Sequence, residues 1–550
     1  MAFRFSTLPP AILEECTFHV ATSSGWDSSA DLRSLLSVSR GLAATLSPAS
    51  APELYARIFC AYFPVTHFIA PSPALTDASL AEELIERLRL VHRIRSCRFE
   101  ENTIRADMWR LQLMILESNG ATIESLQRVG ISSFLTTFLQ TRFYPAGHGW
   151  PLADDVRSLA MWLAWYTSSA ESLKSESLET REQVLTRVRP FAMACPQMAS
   201  SLRAFSSLSE AGGLSDINGR SAQRLCAVTS FSQTLTLSCP DLSSAAILLT
   251  FARKNALVVH IPQHLNRGMV SQGTGPTYKD CYQFQAQSIV LLRSPSVLRN
   301  QTLVSNGRGQ SLGQGECECD LRRLFIGVGH RDSEESAPER PLYLLGKLTG
   351  SWVGKILVAP PMAISSAASA AQLPDFICQR PLRCNIREYL RHDSSTEISQ
   401  RADRWCLNDE NALSFCQDIQ RFRVVHAQDS IELHEKTSGQ IQRYSLAEGG
   451  ARVTRSGWPA DVLIAGETDA EHDRAWGAFV YIGKVRVRDG WVVLKRQPKR
   501  PNDESQPEYG SWVFEGYVHA GSSFVGRWRP DPTLDASGNC EGIFQLKKGA

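Results

Sequence analysis

The sequence has no long hydrophobic run, no apolar segment near its start of the kind that directs secretion, and almost no net charge. Its longest apolar runs, Leu159 to Tyr166 and Ala245 to Ala252, are far shorter than the ~20 residues that cross a bilayer. The opening residues MAFRFSTLPP contain no apolar signal core. We therefore expect a protein that does not span a membrane and that works in the cytoplasm, the nucleus or both.

Neither sign of charge is in clear excess, since 58 lysine and arginine residues are balanced by 56 aspartate and glutamate residues, for a net charge of +2. Such a balance gives no general attraction to nucleic acid or to anionic lipid. A basic cluster, Lys495 to Arg500, is typical of a nucleic-acid patch or of a solvated hairpin end, and we favour the hairpin end. Nucleic acid is therefore not an expected partner.

The fourteen cysteines lack a pattern, which indicates reduced thiols rather than a disulfide framework. Cys317 and Cys319 are separated by one residue, and no second pair follows them at zinc-site spacing. His260 and His264 flank Pro262, so the two histidines cannot share one face of a helix. We expect no metal site and no cofactor.

Motifs for catalysis are incomplete. The segment Gly309-Gln310-Ser311-Leu312-Gly313 matches the nucleophile elbow of hydrolases, but its polar, glycine-rich surroundings favour neither the strand nor the helix that this elbow needs. Gly354-Lys355 is followed by Ile356 rather than by the hydroxyl residue of a phosphate loop. We predict no catalytic residue and no enzyme activity, and a hydrolase that uses Ser311 is the alternative.

The spacing of apolar residues changes along the chain from a helical to a strand pattern. It predicts an α+β multidomain chain, in which an N-terminal helical region precedes a C-terminal antiparallel β-barrel-like domain. Leu80, Leu84, Leu88 and Val91 recur at helical spacing, and similar patterns continue along the first part of the chain. Beyond about Leu321 the helical period gives way to strand alternation. We divide the chain into helical segments at 1–70 and 71–211, a mixed, loop-rich connecting region at 212–320, and the β domain at 321–550.

A hairpin is predicted around Asp489-Gly490, a strong turn signal between two alternating segments. The residues expected on its buried face are Phe479, Tyr481, Val485 and Val487. The residues expected on its exposed face are Lys484, Arg486 and Arg488. Further hairpins follow toward the end of the chain, and sequential hairpins with aromatic inward faces indicate a barrel or a tightly curved sheet.

Five aromatic residues of the β domain have two possible roles. They are Trp352, Tyr481, Trp491, Trp512 and Phe514. They either fill a solid core or line an internal pocket for a small ligand, and small barrels usually fill themselves. An interior cavity would distinguish the two roles.

Residues 8 to 59 resemble an F-box. Leu8-Pro9, Ile12 and Leu13, followed by the block Asp31-Leu32-Arg33-Ser34-Leu35-Leu36-Ser37-Val38-Ser39-Arg40, are similar to that family's Leu-Pro start and its later Asp-Leu-x-x-Leu-x-x-Val block. The insert between the two halves is longer than usual, and the tryptophan common near the end of the motif is absent. In F-box proteins these apolar positions bind the Skp-type adaptor of a cullin–RING ubiquitin ligase.

Later segments strengthen this resemblance. Ala465 to Asp469, Phe524 to Arg529 and Thr349 to Gly354 look like the C-terminal region of fungal F-box-like proteins, and the Gly-Ser-Trp-x-Gly segment is loosely similar to calycin-type barrels. The resemblance implies a substrate receptor with an adaptor and a cullin as partners and an unknown protein target. The residues implied in adaptor binding are Leu8, Pro9, Ile12, Leu13, Leu32, Leu35 and Val38. The alternatives are that these residues form a helical cap, and that the chain is a small-ligand-binding calycin-like barrel.

Overall fold

The protein is described by a computed structural model. The described residues are 8–23, 25–65, 75–144, 150–193, 225–256, 276–291, 317–325, 343–360, 372–391, 415, 419–447, 461–487, 489–499, 510–531 and 541–549. The loop that carries Ser311, the histidine pair at 260 and 264, and Arg488 lie outside these residues, so the predictions on them stay predictions.

Helices form the first part of the chain. They are α1 (Pro10–Thr22), α2 (Ser29–Ser37), α3 (Arg40–Thr45), α4 (Pro52–Tyr62), α5 (Asp77–Arg95), α6 (Ile104–Glu117), α7 (Ile123–Arg128), α8 (Ile131–Thr141), α9 (Asp155–Thr167), α10 (Ala170–Ser175) and α11 (Leu178–Met193). Short 3₁₀ turns lie at Gly25–Ser28 and Ile419–Arg421. A two-stranded hairpin, β1 (Leu225–Ser230) and β2 (Gln233–Ser238), follows α11 and precedes α12 (Leu242–Asn255), α13 (Tyr278–Leu291) and α14 (Glu318–Arg323).

These helices bury apolar faces against one another because most are apolar over a wide stripe. The helix α9 is the clearest case, since Leu159, Trp162, Leu163 and Tyr166 are all buried in one continuous core. Its start is fixed by Asp154, whose side chain accepts a hydrogen bond of 2.8 Å from the backbone N–H of Arg157.

The β domain contains β3 (Gly350–Val358), β4 (Cys378–Arg391), β5 (Phe422–His426), β6 (Ser430–Glu435), β7 (Ile441–Leu446), β8 (Asp461–Glu467), β9 (Phe479–Arg486), β10 (Trp491–Pro498), β11 (Trp512–His519), β12 (Ser523–Pro530) and β13 (Gly542–Lys548), with α15 (Ala470–Trp476) between β8 and β9. Neighbours in the sheet follow the order β3-β13-β12-β11-β10-β9-β8-β4, and β3 also pairs with β4. Eight antiparallel strands thereby close into a barrel. The predicted α+β architecture is confirmed.

Three strands extend the barrel on its outside. The strands β5, β6 and β7 form an antiparallel sheet that joins β4 through two residue pairs, Tyr389 with Leu446 and Leu390 with Ser445. Ile431, Leu433 and Tyr444 of this sheet are fully buried against the outer face of the barrel. The extension therefore covers outward-facing strand residues that would otherwise meet solvent.

The predicted hairpin is present as β9 and β10, with Arg486 opposite Trp491 across the turn. Phe479, Tyr481 and Val485 are buried in the barrel interior, and Val487 packs beside them. The alternation that defined this buried face is confirmed.

The cations of the hairpin lie on the opposite face but are not fully exposed. Lys484 is 12% exposed and pairs with Asp461 at 2.5 Å, and its ammonium lies 4.7 Å from the ring centre of Phe415. Arg486 is 20% exposed and pairs with Asp489 in the turn. The prediction that these two side chains are exposed is wrong, because neighbouring acidic and aromatic side chains cover them.

The helical region packs on the outside of the barrel. Val525 and Ile543, which face outward from β12 and β13, belong to the same apolar core as α9 and α12. Arg527 of β12 donates a hydrogen bond of 2.7 Å to the backbone carbonyl of Ala192 at the end of α11. One continuous core therefore joins the N-terminal helices to the wall of the barrel.

Candidate functional site

The N-terminal residues implied in adaptor binding differ in burial. Leu13 and Leu32 are 4% and 5% exposed and belong to the apolar core of the helical region. Leu8 and Leu35 are half-buried, and Leu8 packs against that core. In this conformation Leu13 and Leu32 hold α1 and α2 onto the rest of the chain, so they are not available as surface anchors.

The other residues of the set are exposed, with Pro9 and Ile12 at the start of α1 and Val38 directly after α2. Pro9 is exposed, Ile12 is 48% exposed and Val38 is 70% exposed. Ile12, Cys16 and Val20 are spaced four residues apart and so share one face of α1, with Val20 37% exposed and Cys16 half-buried. We call Pro9, Ile12, Cys16, Val20 and Val38 the N-terminal apolar surface.

Four of the five aromatic residues selected from the sequence lie in the barrel interior. Trp352, Tyr481, Trp512 and Phe514 are buried in the apolar cluster that fills the barrel. Trp491 lies outside, half-buried in the cluster between the barrel and the β5–β7 extension. The expectation that Trp491 lies inside the barrel is wrong. Side chains alternate along β10, and because Val492 and Leu494 point inward, Trp491 points outward.

Aromatic rings in contact occupy the lumen. The ring centres of Phe514 and Phe544 are 5.2 Å apart, and those of Phe524 and Phe544 are 4.8 Å apart, both in edge-to-face geometry. Trp352 lies 6.2 Å from Phe524 and donates a hydrogen bond of 2.7 Å from its indole nitrogen to the carbonyl of Leu348. These contacts favour a solid core over a ligand pocket in this part of the lumen.

The basic cluster Lys495 to Arg500 was expected to be a solvated hairpin end. For its first two residues, Lys495 and Arg496, this expectation is wrong, because both are buried. Arg496 is 3% exposed inside the barrel, with its guanidinium carbon 4.0 Å from the ring centre of Phe479 and 3.5 Å from that of Trp512. Lys495 points outward but is fully buried in an ion pair with Asp531. Alternation along β10 places the two neighbours on opposite faces, and each face is covered.

A polar cluster joins the helical region to the barrel. Asp320 of α14 accepts a hydrogen bond of 2.7 Å at Oδ1 from Nδ1 of His519, the last residue of β11. Oδ2 of Asp320 accepts from the backbone N–H of Ala520 at 2.9 Å and from the hydroxyl of Tyr166 at 3.2 Å. The carboxylate therefore contacts α9 and the β11–β12 turn at once.

Arg323 lies one helical turn beyond Asp320 and completes this cluster. Its Nη1 donates to Oδ1 of Asp320 and to the carbonyl of Val518, both at 2.9 Å, and its Nε donates to the carbonyl of Asp489 at 3.1 Å. The guanidinium also lies 5.0 Å from the ring centre of Tyr517. The contacts with Val518, Asp489 and Tyr517 thus fix this side chain against the barrel.

Burial determines the protonation of this cluster. Burial lowers the pKa of His519, although Asp320 acts in the opposite direction. Burial raises the pKa of the Asp320 carboxyl, but His519, Arg323 and the Ala520 N–H together reverse this effect, so its net pKa is lowered. Burial also raises the pKa of Tyr166 well above its usual value. The cluster therefore combines an ionised Asp320 with a protonated Tyr166 hydroxyl near neutral pH.

A cavity of about 30 Å³ lies beside this cluster. We call it the interface cavity, and its lining includes Gln112, Trp162, Tyr166, Asp241, Asp320, Arg323 and His519. The imidazole of His519 lies against the indole of Trp162, with ring centres 4.7 Å apart.

No pattern in the sequence indicates this site. Asp320 and His519 are separated by 199 positions and belong to no spacing motif. The closure of the barrel and the packing of α14 against β11 create their contact, and no local sequence signal reports either event.

Comparisons with known proteins give no relative: no protein-family model, no curated protein and no solved structure matches the chain. Within the described residues, no helix is long and apolar enough to cross a membrane. The same residues contain no group of three or more His, Cys, Asp or Glu side chains placed to hold a metal ion.

Proposed function

We propose that the chain is an F-box-like substrate receptor of a Skp–cullin–F-box ubiquitin ligase. Its N-terminal helices bind the Skp-type adaptor, and its C-terminal β domain presents a surface that recognises a target protein. The observation that carries the proposal is the N-terminal apolar surface, where Ile12 and Val38 are 48% and 70% exposed within the segment that resembles an F-box. A small helical module leaves such a surface for a partner to cover.

The packing of the same helices supports the proposal. Leu13 and Leu32 anchor α1 and α2 in a core that continues to Val525 on the outer wall of the barrel. A receptor works by holding its target at a suitable distance from a ubiquitin-charged enzyme, so catalysis occurs on another subunit and depends on proximity. A continuous core provides the rigid connection that this task requires.

Adaptor binding is tested by calorimetric titration of the full chain with a purified Skp-type adaptor. We expect binding at micromolar concentration or tighter. Ile12→Ala and Val38→Ala should each weaken it about thirtyfold, because a central apolar anchor contributes about 2 kcal/mol. Leu178→Ala is the matched control, since Leu178 is 72% exposed on α11, outside the N-terminal apolar surface.

Two outcomes contradict the proposal. One is the absence of binding heat for the folded wild type up to tens of micromolar adaptor. The other is equal weakening by Leu178→Ala and Ile12→Ala. Leu13→Ala is unsuitable as the main probe because Leu13 is only 4% exposed, so this variant would mainly destabilise the helical core.

A further inference from the structure

The strand β5 is an edge of the sheet. It is the last strand in the sheet order, and within the part of the chain that the structure describes it pairs only with β6. An edge strand presents one row of backbone N–H and C=O groups that its own sheet does not use. A further extended segment can pair with such a row, and many proteins bind peptides in this way.

The register of the β5–β6 hairpin shows which backbone groups form this row. The N–H of Ala427 donates to the carbonyl of Ser430 at 2.9 Å. Hydrogen-bonded pairs alternate with other pairs along an antiparallel ladder, so the backbone groups of Val425 and Arg423 also point to β6. The residues whose N–H and C=O groups point along the outer edge are Phe422, Val424 and His426.

The side chains of β5 form an apolar strip on one face and a basic position on the other. Phe422 and Val424 are half-buried against the outer wall of the barrel, in the cluster that contains Ile431 and Leu433. Alternation along the strand turns Arg423 to the opposite, outer face, where it is exposed and forms no ion pair with any described residue. An incoming strand would therefore meet apolar side chains on the barrel side and a cation on the outer side.

Two common means of protecting an edge strand are missing from β5. Proline and inward-pointing charges both oppose the addition of a further strand. The sequence of β5 contains no proline, and its inward-facing Phe422 and Val424 carry no charge. Arg423 stays on the solvent side of an added strand, so it does not block pairing and instead selects the charge of the segment that pairs.

Basic residues outnumber acidic ones along this edge. Residues 419–428, which are β5 and its two flanks, include Arg421 and Arg423 and no aspartate or glutamate. The ammonium of Lys436 donates to the carbonyl of Gln420 at 2.7 Å and adds a further cation at the start of β5. Opposite charges on adjacent strands stabilise their pairing and like charges oppose it. An acidic segment therefore fits this edge.

The acidic side chains of the hairpin leave the charge of Arg423 in place. On the outer face of β6, Glu432 is already paired with Arg443. Glu435 lies opposite Phe422 on the other face, and Asp429 lies in the turn beyond the end of β5. A second copy of β5 would bring only further arginines to the edge, so the pairing of two copies is not favoured.

We propose that β5 binds an extended segment of a target protein by strand addition, and that this segment alternates apolar with acidic residues. The backbone of the segment pairs with the outer edge of β5. Its apolar side chains continue the strip formed by Phe422 and Val424, and its acidic side chains lie beside Arg423. This inference rests on the proposed function, because it names the kind of target segment that the β domain recognises.

The test measures binding of labelled heptapeptides to the full chain by fluorescence anisotropy. Three peptides share valine at alternate positions and carry aspartate, lysine or serine at the others. A fourth has the composition of the aspartate peptide, with its valines and aspartates in two blocks. We expect the alternating aspartate peptide to bind at least about fivefold more tightly than the other three, since an exposed charge pair changes affinity by about that factor.

Variants of the outer face test the role of charge. Arg423→Glu should weaken binding of the aspartate peptide and strengthen binding of the lysine peptide, each about fivefold. Lys174→Glu is the matched control, because Lys174 is exposed on α10 in the helical region. It should leave both affinities as they are in the wild type.

Variants of the edge itself test backbone pairing. Val424→Pro removes an N–H that points along the outer edge, so the aspartate peptide should bind about tenfold more weakly. Proline at such a position leaves the pairing with β6 in place. Val424→Ala keeps the N–H and is the control, which should bind more tightly than Val424→Pro. Thermal unfolding of each variant shows whether it remains folded at the temperature of the titration.

Any of four results overturns the inference. They are no binding of the aspartate peptide to the folded wild type up to about 1 mM, equal binding of the lysine or the block peptide, and unchanged binding to a folded Arg423→Glu variant. The fourth is a wild-type dimer in sedimentation that Val424→Pro converts to a monomer, since this assigns the edge to a second copy. The peptide assay contains no adaptor, so a failed adaptor titration and a failed peptide titration are separate outcomes.

Discussion

Arg87 of α5 donates a hydrogen bond of 2.8 Å from Nη2 to Oε2 of Glu117 on α6, and the two side chains are 1% and 0% exposed. Nε of Arg87 also donates to Glu83 at 2.9 Å. Its guanidinium carbon lies 4.9 Å from the ring centre of Phe59 on α4 and 5.4 Å from that of Phe231 in the β1–β2 turn. One buried cation therefore connects α5 with α6, α4 and the β1–β2 turn.

The first prediction concerns this buried pair. Arg87→Met should lower the free energy of unfolding by about 3–5 kcal/mol, because it leaves Glu83 and Glu117 buried without a cation that contacts both. Arg89→Met is the control two residues further along α5, since Arg89 and Glu86 form a pair in which the arginine is 64% exposed. The control should cost less than about 1 kcal/mol. Denaturant unfolding measures both values, and equal losses would contradict the prediction.

The second prediction concerns close approach of two barrel strands. Gly526 on β12 lies opposite Gly516 on β11, and a Cβ on Gly526 would lie 1.9 Å from the carbonyl oxygen of Glu515. Gly526→Ala should destabilise the protein by about 1–3 kcal/mol or more, because backbone must move to relieve the clash. A Cβ on Gly510 would meet no atom within 4 Å, so Gly510→Ala should change stability by less than about 0.5 kcal/mol. Chemical denaturation distinguishes them, and a neutral Gly526→Ala would show that the strands separate at little cost.

The alternation of β9 and β10 shows how much the sequence could predict. Phe479, Tyr481 and Val485 lie on the buried face, as their alternation along the strand predicted. The alternation is informative because a shift of one residue in the pairing would move every side chain to the opposite face of the sheet. The helical period of α9 was equally informative. Local periodicity therefore predicted the fold class and the inward face of this hairpin.

Burial by distant elements could not be predicted in the same way. Arg496 belongs to a run that looks solvated, yet it is enclosed between Phe479 and Trp512 because the barrel closes around it. His519 contacts Asp320 only because α14 packs on the end of β11. Both relationships depend on pairings across long separations, and composition and period carry no information about these.

The third prediction concerns acid stability. His472 on α15 is 3% exposed, and burial, with Arg496 and Arg383 nearby, lowers its pKa from 6.5 to about 4. Between these pH values the unfolded chain binds more protons at this residue than the folded chain, so stability falls as pH falls. At pH 5 the loss relative to pH 7.5 is about 2 kcal/mol. His472→Gln should remove this part of the pH dependence in denaturant titrations.

The exposed His426 provides the control for this experiment. His426→Gln should leave the difference in unfolding free energy between pH 7.5 and pH 5 as it is in the wild type. If His472→Gln retains the full wild-type difference, the buried imidazole is not its source.

The fourth prediction tests whether the lumen is a solid core. Phe544 is fully buried, and the rings of Phe514 and Phe524 lie 5.2 and 4.8 Å from its ring centre. Phe544→Ala should lower the free energy of unfolding by about 3–5 kcal/mol, because it removes these contacts and leaves a void. An apolar void of this kind stays dry and takes up benzene. Benzene should therefore raise the melting temperature of Phe544→Ala and leave that of the wild type unchanged. A wild type stabilised by benzene to the same extent would instead show that the barrel already contains a ligand cavity, because only binding to the folded state raises a melting temperature.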